Sequence, residues 1–252
     1  MQIAIQTDVG MVRKHNEDSG EVFTKGEHFL AVIADGMGGH KAGDIASQEA
    51  LTCIKDAWNQ FEENMESIRE WIQNVLRDTN NHIFQFSQEN PETRGMGTTV
   101  VAALGNSNEV TVAHIGDSRC YLYSNGELKR VTDDHSLVQE LVKSGQITED
   151  EAEIHPRRNM IMKAVGTDET VEAEFNQITW NNGDYLLLCS DGLSDKVSFK
   201  RIQEALLNPQ ESVAEKVETL ITWAKDAGGE DNITAILIQN RSDTETKGEA
   251  RA

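Results

Sequence analysis

The chain has 252 residues and a mass of 28.0 kDa, enough to bury a substantial core, which excludes a peptide hormone or a disulfide miniprotein. At 38% hydrophobic and 26% charged residues, with only 3 prolines, the composition is that of a folded domain and not of a disordered chain. Asp and Glu number 43 against 23 Lys and Arg, a net charge of -20 with a pI near 4.7, so nucleic-acid phosphates and anionic membranes are repelled and a cationic ligand is favoured.

Taken in chain order, apolar runs bounded by turn residues predict a strand over 3–7, then the polar segment RKHNED as a loop, then a strand over 28–35 that stops at Asp35-Gly36. Helical spacing follows in Ala46, Ala50, Cys53, Ala57 and Phe61, and again in Ile68, Ile72, Val75, Thr79 and Ile83. Further strands are predicted over 98–104, 110–115 and 118–124, the last closing a hairpin with ELKRV through Asn125-Gly126, so part of the sheet is antiparallel. A small helical excursion over 146–153 lies between Gly145 and Pro156. A strand over 185–190, a helical stripe at Val213, Val217, Leu220 and Ala224, and a strand over 232–239 complete the pattern. Each helical stripe needs a surface beneath it, which predicts helices covering antiparallel sheets in one sandwich domain of the α+β class.

No repeat or linker divides the chain, so one domain over 1–240 is expected, with 241–252 as a polar, disordered tail. The longest apolar runs are about five residues, far short of a membrane span. The opening MQIAIQTDVG has neither the basic nor the continuous apolar part of a secretory signal. Cys53, Cys120 and Cys189 are odd in number and embedded in apolar runs, which reads as three buried thiols and a cytoplasmic protein.

The informative pattern is positional. Apolar strands repeatedly deliver an aspartate at their ends: FLAVIAD at Asp35, VTVAHIGD at Asp117 and YLLLCSD at Asp191. Asp231 instead precedes a strand, and an antiparallel neighbour would bring that start beside the other strands' ends. A single Asp-Gly is an ordinary turn dipeptide, but four such carboxylates converging would repel one another unless hard divalent ions neutralised them, with Mg²⁺ or Mn²⁺ the natural occupant. Gly36, without a Cβ, lets a backbone carbonyl approach such an ion. Beside that centre, Arg13 supplies a planar fork for two phosphate oxygens, while Glu17 and Asp18 would hold metal-bound water. Covalent phosphate chemistries lack their motifs: no cysteine has an arginine six residues on, and DxDxT, GxxxxGK[ST] and GxGxxG are all absent.

RKHNED, ADGMGGH, MGTT, HIGDSR, SDGLSD and GGEDNIT, in that order over residues 1 to 240, resemble the metal-dependent PPM/PP2C Ser/Thr phosphatases, most closely the compact bacterial PrpC/Stp type. The resemblance implies a four-layer α-β-β-α sandwich of two antiparallel sheets, with a flap subdomain over about 133–165. By motif, Asp35 would bridge two metals, Gly36 would offer its carbonyl to one, and Asp191 and Asp231 would hold the other. Arg13 would grip the phosphate, with Glu17, Asp18 and Asn232 supporting the ligands. Asp117, Asp191 and Asp195 match a weaker third-metal site. Met37 stands where eukaryotic relatives carry a histidine proposed as general acid; His40 and metal-bound water near Asp117 are the candidates here.

The implied activity is hydrolysis of phosphoserine and phosphothreonine in proteins by water activated between two Mn²⁺ or Mg²⁺ ions, opposing bacterial Ser/Thr kinases. Expected partners are phosphorylated proteins, including a cognate kinase, with no nucleic acid and no membrane insertion; the chain is expected to be a monomer. The alternative is a non-catalytic phosphoprotein-binding module on the same fold, which missing aspartates would favour; none is missing. A Ca²⁺-binding protein would need a DxDxDG loop, which the chain lacks. The flap region carries Arg157, Arg158 and Lys163 in an otherwise acidic chain, which suits it to steering phosphoproteins.

Overall fold

In a computed structural model, residues 1–38, 42–63 and 67–241 are described. The elements run β1 (Gln2–Asp8), β2 (Asp18–Lys25), β3 (His28–Met37), α1 (Ala42–Asn59), α2 (Ile68–Glu89), a 3₁₀ turn (Pro91–Thr93), β4 (Gly97–Thr98), β5 (Val100–Gly105), β6 (Glu109–Ile115), β7 (Arg119–Ser124) and β8 (Glu127–Arg130). After these come α3 (Leu137–Lys143), α4 (Glu149–Glu153), β9 (Glu174–Thr179), β10 (Tyr185–Cys189), α5 (Asp191–Ser194), α6 (Phe199–Leu207), α7 (Val213–Asp226) and β11 (Ile233–Gln239).

Two antiparallel sheets result, one ordered β1-β11-β10-β7-β8 and the other β2-β3-β5-β6-β9, with β4 paired to β3. The central strands are apolar on both faces because both are covered. Along β3, Phe29, Ala31 and Ile33 pack between the sheets against Leu186, Leu188, Ile236 and Ile238, while Leu30, Val32 and Ala34 pack on α1 and α2. Leu187, Cys189, Ala235 and Leu237 face the other way, toward α6 and α7. The order of layers is therefore helices, sheet, sheet, helices, the expected sandwich.

Several sequence expectations are corrected in detail. The strand expected over 98–104 is broken at Thr99, so that Gly97–Thr98 pairs with β3 and Val100–Gly105 begins afresh. The loop assigned to RKHNED ends one residue early, because Asp18 already pairs in β2. The excursion over 146–153 is helical only from Glu149, where Thr148 forms a capping box with Glu151. Cys120 and Cys189 are buried as expected, but Cys53 is half-exposed on α1; all three are free thiols. Among the described residues no helix is long and apolar enough to cross a membrane. Residues 242–252 of the expected tail lie outside the described residues.

Candidate metal centre

The antiparallel registers decide where the carboxylates go. In the β2–β3 pair, Asp18 stands directly opposite Asp35. In the β10–β11 pair, Cys189 stands opposite Ala235, which brings Asp191, two residues beyond β10, to the same rim as Asp231, two residues before β11. Asp117 lies in the turn from β6 to β7, and β7 pairs Arg119 with Cys189. Two sheets thus deliver Asp18, Asp35, Asp117, Asp191 and Asp231 to one seam.

The backbone around each is fixed by close contacts. Thr99 donates its N–H to the Asp35 carbonyl at 2.8 Å and accepts the Asp35 N–H on its Oγ1 at 3.1 Å; that hydroxyl lies 2.7 Å from the Ser118 hydroxyl, beside Asp117. A Cβ on Gly192 would sit 1.9 Å from the Asn232 carbonyl oxygen, so only glycine lets the Asp191 turn approach the Asp231 segment. Gly36 has a similar reason: a Cβ there would fall 2.0 Å from the Gly43 carbonyl oxygen. Buried Asn232 uses its whole amide, accepting from the Glu17 N–H at 2.8 Å and donating to the carbonyls of Val9 at 3.0 Å and His15 at 2.9 Å. The loop that carries Arg13 is thereby tied to the start of β11.

Electrostatics show the strain of this convergence. Burial, then the charges of Asp18, Asp191, Asp117 and Asp231, push the Asp35 carboxyl well above the usual carboxylate range. Burial, then Asp117, Asp195, Asp231 and Asp18, does the same to Asp191. Asp18 is raised to about 6, chiefly by burial, although Ser190 donates to its Oδ2 at 2.8 Å. Asp117 is raised to about 7, first by burial and then by Asp134, with Arg119 opposing. Desolvation also raises Asp195, the outermost of the group.

The donor set fits hard divalent ions. Asp18 Oδ1 and Asp117 Oδ1 are buried oxygens without a hydrogen-bond partner, and the surrounding donors are carboxylates and carbonyls, the ligands of Mg²⁺, Mn²⁺ and Ca²⁺ and not those of thiolate-preferring metals. Arg13 reaches the same rim, with Nη2 donating to Asp231 Oδ2 at 2.7 Å. His40 lies outside the described residues.

Other residues at the rim had escaped the sequence reading. Arg119 grips Asp134 through Nε at 3.1 Å and Nη2 at 2.8 Å and reaches Asp195 at 3.7 Å; Arg130 also holds Asp134. The signal for Asp134 was the same one that marked the others, an aspartate following a strand, here VTDD. Near it, His114 and His135 stack with ring centroids 4.7 Å apart, and burial lowers the pKa of both imidazoles. His114 Nε2–H donates to the Asp133 carbonyl at 2.6 Å, while His135 Nε2 meets Glu174 Oε2 at 3.3 Å.

The segment expected as a flap is anchored at both roots to this rim. At its entry, the His135 N–H donates to the Gly116 carbonyl at 3.0 Å. At its exit, Val165 and Thr98 exchange backbone hydrogen bonds at 2.8 and 3.0 Å, and Asn80 of α2 accepts from the Gly166 N–H at 2.8 Å. Between the roots, α3 and α4 carry the segment outward, with Arg157 and Arg158 exposed and Arg158 near enough to Asp195 to oppose the rise in its pKa.

The sequence profile described as Protein phosphatase 2C matches residues 12–237. A serine/threonine phosphatase stp of Listeria monocytogenes serotype 4b is 40% identical over 242 residues, 95% of this chain and 96% of the relative. Among solved structures, the serine/threonine phosphatase Stp1 of Staphylococcus aureus superposes with a TM-score of 0.90 at 38% identity, covering 94% of each chain. The catalytic domain of the serine threonine protein phosphatase PstP in complex with two manganese ions superposes with a TM-score of 0.82 at 39% identity, covering 94% of this chain and 96% of that one.

Proposed function

The chain belongs to the protein phosphatase 2C family, and from that premise we propose that Asp35, Asp191 and Asp231, with the Gly36 carbonyl, hold the divalent ions with which it removes phosphate from phosphoserine and phosphothreonine in proteins. The carrying observation is the register that sets Asp18 against Asp35, within reach of the fields of Asp117, Asp191 and Asp231. So much facing negative charge, with two buried oxygens left unpartnered, makes sense as a site completed by cations.

When bound, Mn²⁺ or Mg²⁺ supplies a nucleophile at neutral pH by acidifying water and offsets charge on the phosphoryl oxygens. The chain's own residues do the rest. Thr99 fixes the Asp35 backbone, and the Ser190 hydroxyl, which accepts the Thr234 N–H at 3.0 Å and donates to Asp18, locks the two sheets together beneath the carboxylates. Asn232 and Glu17 hold the Arg13 loop, whose guanidinium engages two phosphoryl oxygens. Asp117, Asp191 and Asp195 form a third, weaker cation position. No described side chain has the sequence context of a covalent phosphate carrier. Mixing the loaded enzyme with a radiolabelled phosphoprotein and quenching in acid should therefore leave no label on this chain, and a trapped phosphorylated form of it would overturn direct transfer to water.

Arg13→Lys keeps the charge and loses the two-point fork. With one charge-assisted hydrogen bond worth about 1.5–3 kcal/mol, kcat/KM on a phosphothreonine peptide should fall about tenfold or more, while Mn²⁺ affinity by calorimetry stays close to wild type. A wild-type kcat/KM, or a defect confined to Mn²⁺ affinity, contradicts this role.

The flap over 133–165 selects protein substrates. Its Arg157 and Arg158 stand exposed beside an acidic rim, where they offset the field that repels an anionic phosphoprotein. Arg157→Ala with Arg158→Ala should reduce turnover of phosphoproteins several-fold more than turnover of p-nitrophenyl phosphate, which is too small to reach the flap. Equal losses on both substrates reject selection by these residues. We place the enzyme in the cytoplasm as a monomer opposing a Ser/Thr kinase, a reading whose compartment the three free thiols support.

A further inference from the structure

We propose that His135 is a positioning residue for phosphate hydrolysis, holding the Gly116–Asp117 turn in place through a two-point clasp between the root of the flap and the metal rim. The inference rests on the reading of Asp117 as part of the metal centre.

The clasp is reciprocal. The His135 N–H donates to the Gly116 carbonyl at 3.0 Å, and the Gly116 N–H donates to His135 Nδ1 at 3.2 Å. The second bond settles the tautomer: an amide can donate only to a lone pair, so the ring proton sits on Nε2, where it faces Glu174 Oε2 at 3.3 Å. The His135 carbonyl accepts from the Met162 N–H at 2.7 Å, and Ser136 bridges to Ile161, so the same residue also ties the two strands of the flap root. Every polar group of His135 is thus engaged, with the side chain 95% buried by its 5% exposure.

That arrangement also decides against reading His114, His135 and Glu174 as a further metal site, although their donor atoms lie within 4.8 Å of one another. Coordination through His135 Nε2 would drive the ring proton onto Nδ1, against the Gly116 N–H, and leave that buried amide without an acceptor. Hydrogen bonding to the turn and ligation are mutually exclusive here.

Asp117 needs such support because its own carboxylate has little. Its Oδ1 is buried and unpartnered, so the backbone of the turn determines where that oxygen lies. Gly116 precedes it directly, and the only ring holding Gly116 through its amide nitrogen is His135 among the described hydrogen bonds. Loss of the Nδ1 acceptor leaves the Gly116 amide, next to the carboxylate, without its partner and the turn held to His135 only through the His135 N–H at the Gly116 carbonyl, while the backbone bonds of the flap root remain.

The test separates the acceptor from mere bulk. Asn places Oδ1 where His carries Nδ1, whereas Gln reproduces only the Nε2 position. His135→Ala and His135→Gln are expected to lower kcat on p-nitrophenyl phosphate about tenfold or more with KM little changed, to shift the midpoint of Mn²⁺ activation upward by a similar factor, and to lose the weaker Mn²⁺ binding event in calorimetry while keeping the tight ones. His135→Asn should return all three readouts to within about twofold of wild type. Near-UV circular dichroism and melting temperature establish that each variant is folded, and the Asn and Gln pair decides the matter even where the Ala variant does not fold. Equal behaviour of His135→Asn and His135→Gln overturns the clasp, as does wild-type kcat in His135→Gln while Asp117→Ala is impaired; in the latter case the Asp117 reading stands alone. Wild-type kcat and Mn²⁺ dependence in Asp117→Ala remove the underlying reading, and the proposal with it.

Discussion

Asp35→Asn is expected to lower kcat by about three orders of magnitude or more and, in the ion-free protein, to raise the melting temperature. The first effect follows from the place of Asp35 at the centre of the rim, where it faces Asp18 in register and feels Asp117, Asp191 and Asp231. On the proposed reading, removing its charge would take away an oxygen that holds the ions and positions the nucleophile. The second effect has the same cause with opposite sign. Without cations, two carboxylates directly opposite on adjacent strands destabilise the pair, by up to about 1 kcal/mol even on an ordinary sheet surface. For a chain of this size each 1 kcal/mol recovered is worth about 2–4 °C. Calorimetric melting in chelator and steady-state hydrolysis of a phosphopeptide measure both. Near-normal kcat would displace Asp35 from the centre, and a lowered ion-free melting temperature would mean that its role is structural support.

Chelation followed by dialysis is expected to abolish phosphate release and to reverse the pH dependence of stability. The sign follows from the raised carboxyl pKa values. Asp18 moves from 3.8 unfolded to about 6 folded, and Asp117 from 3.8 to about 7. A group with a raised folded pKa binds more protons in the native state, so its contribution is fully present below the unfolded value and is lost as pH rises through the folded one. The ion-free protein should therefore lose stability from about pH 4 to about pH 7. Divalent ions need the deprotonated carboxylates, so the melting temperature gained on adding Mn²⁺ should grow across the same window. Ion-free stability that is flat or rising over that range, or phosphate release that survives chelation, would refute the account.

The strands most legible in the sequence were those buried on both faces. β3, β10 and β11 read as unbroken apolar runs because the layers on each side leave no face for polar residues. β2 and β9 were missed for the converse reason: DSGEVFTK and EFNQIT are edge strands, half-exposed and mostly polar, whose pairing is decided by neighbours and not by their own composition. α6 is only 9 residues long, too short for its apolar stripe to stand out. Asp35, Asp117, Asp191 and Asp231 were legible because each marks the end or start of a strong run. What one sequence could not give was register: with β2 unseen, nothing placed Asp18 opposite Asp35, and the hold of Arg119 on Asp134 depends on how the chain returns through the β7–β8 hairpin.

The position of β11 has a consequence for how the chain comes to life during synthesis. β11 lies between β1 and β10, so the first strand to be made has its sheet neighbour among the last. Ribosomes add about 5–20 residues per second, so β1 waits roughly 10–50 s before residues 233–239 exist to pair with it. Contacts of such sequence separation are also the slowest to form once both partners are present. Asp231 arrives with that final strand, as do Gly229 and Asn232, and the loop that carries Arg13 is held by all three. On the metal-centre reading proposed above, a polypeptide still emerging from the ribosome would therefore lack a complete centre however well its earlier layers had folded, and hydrolytic competence would follow only the pairing of the closing strand between β1 and β10.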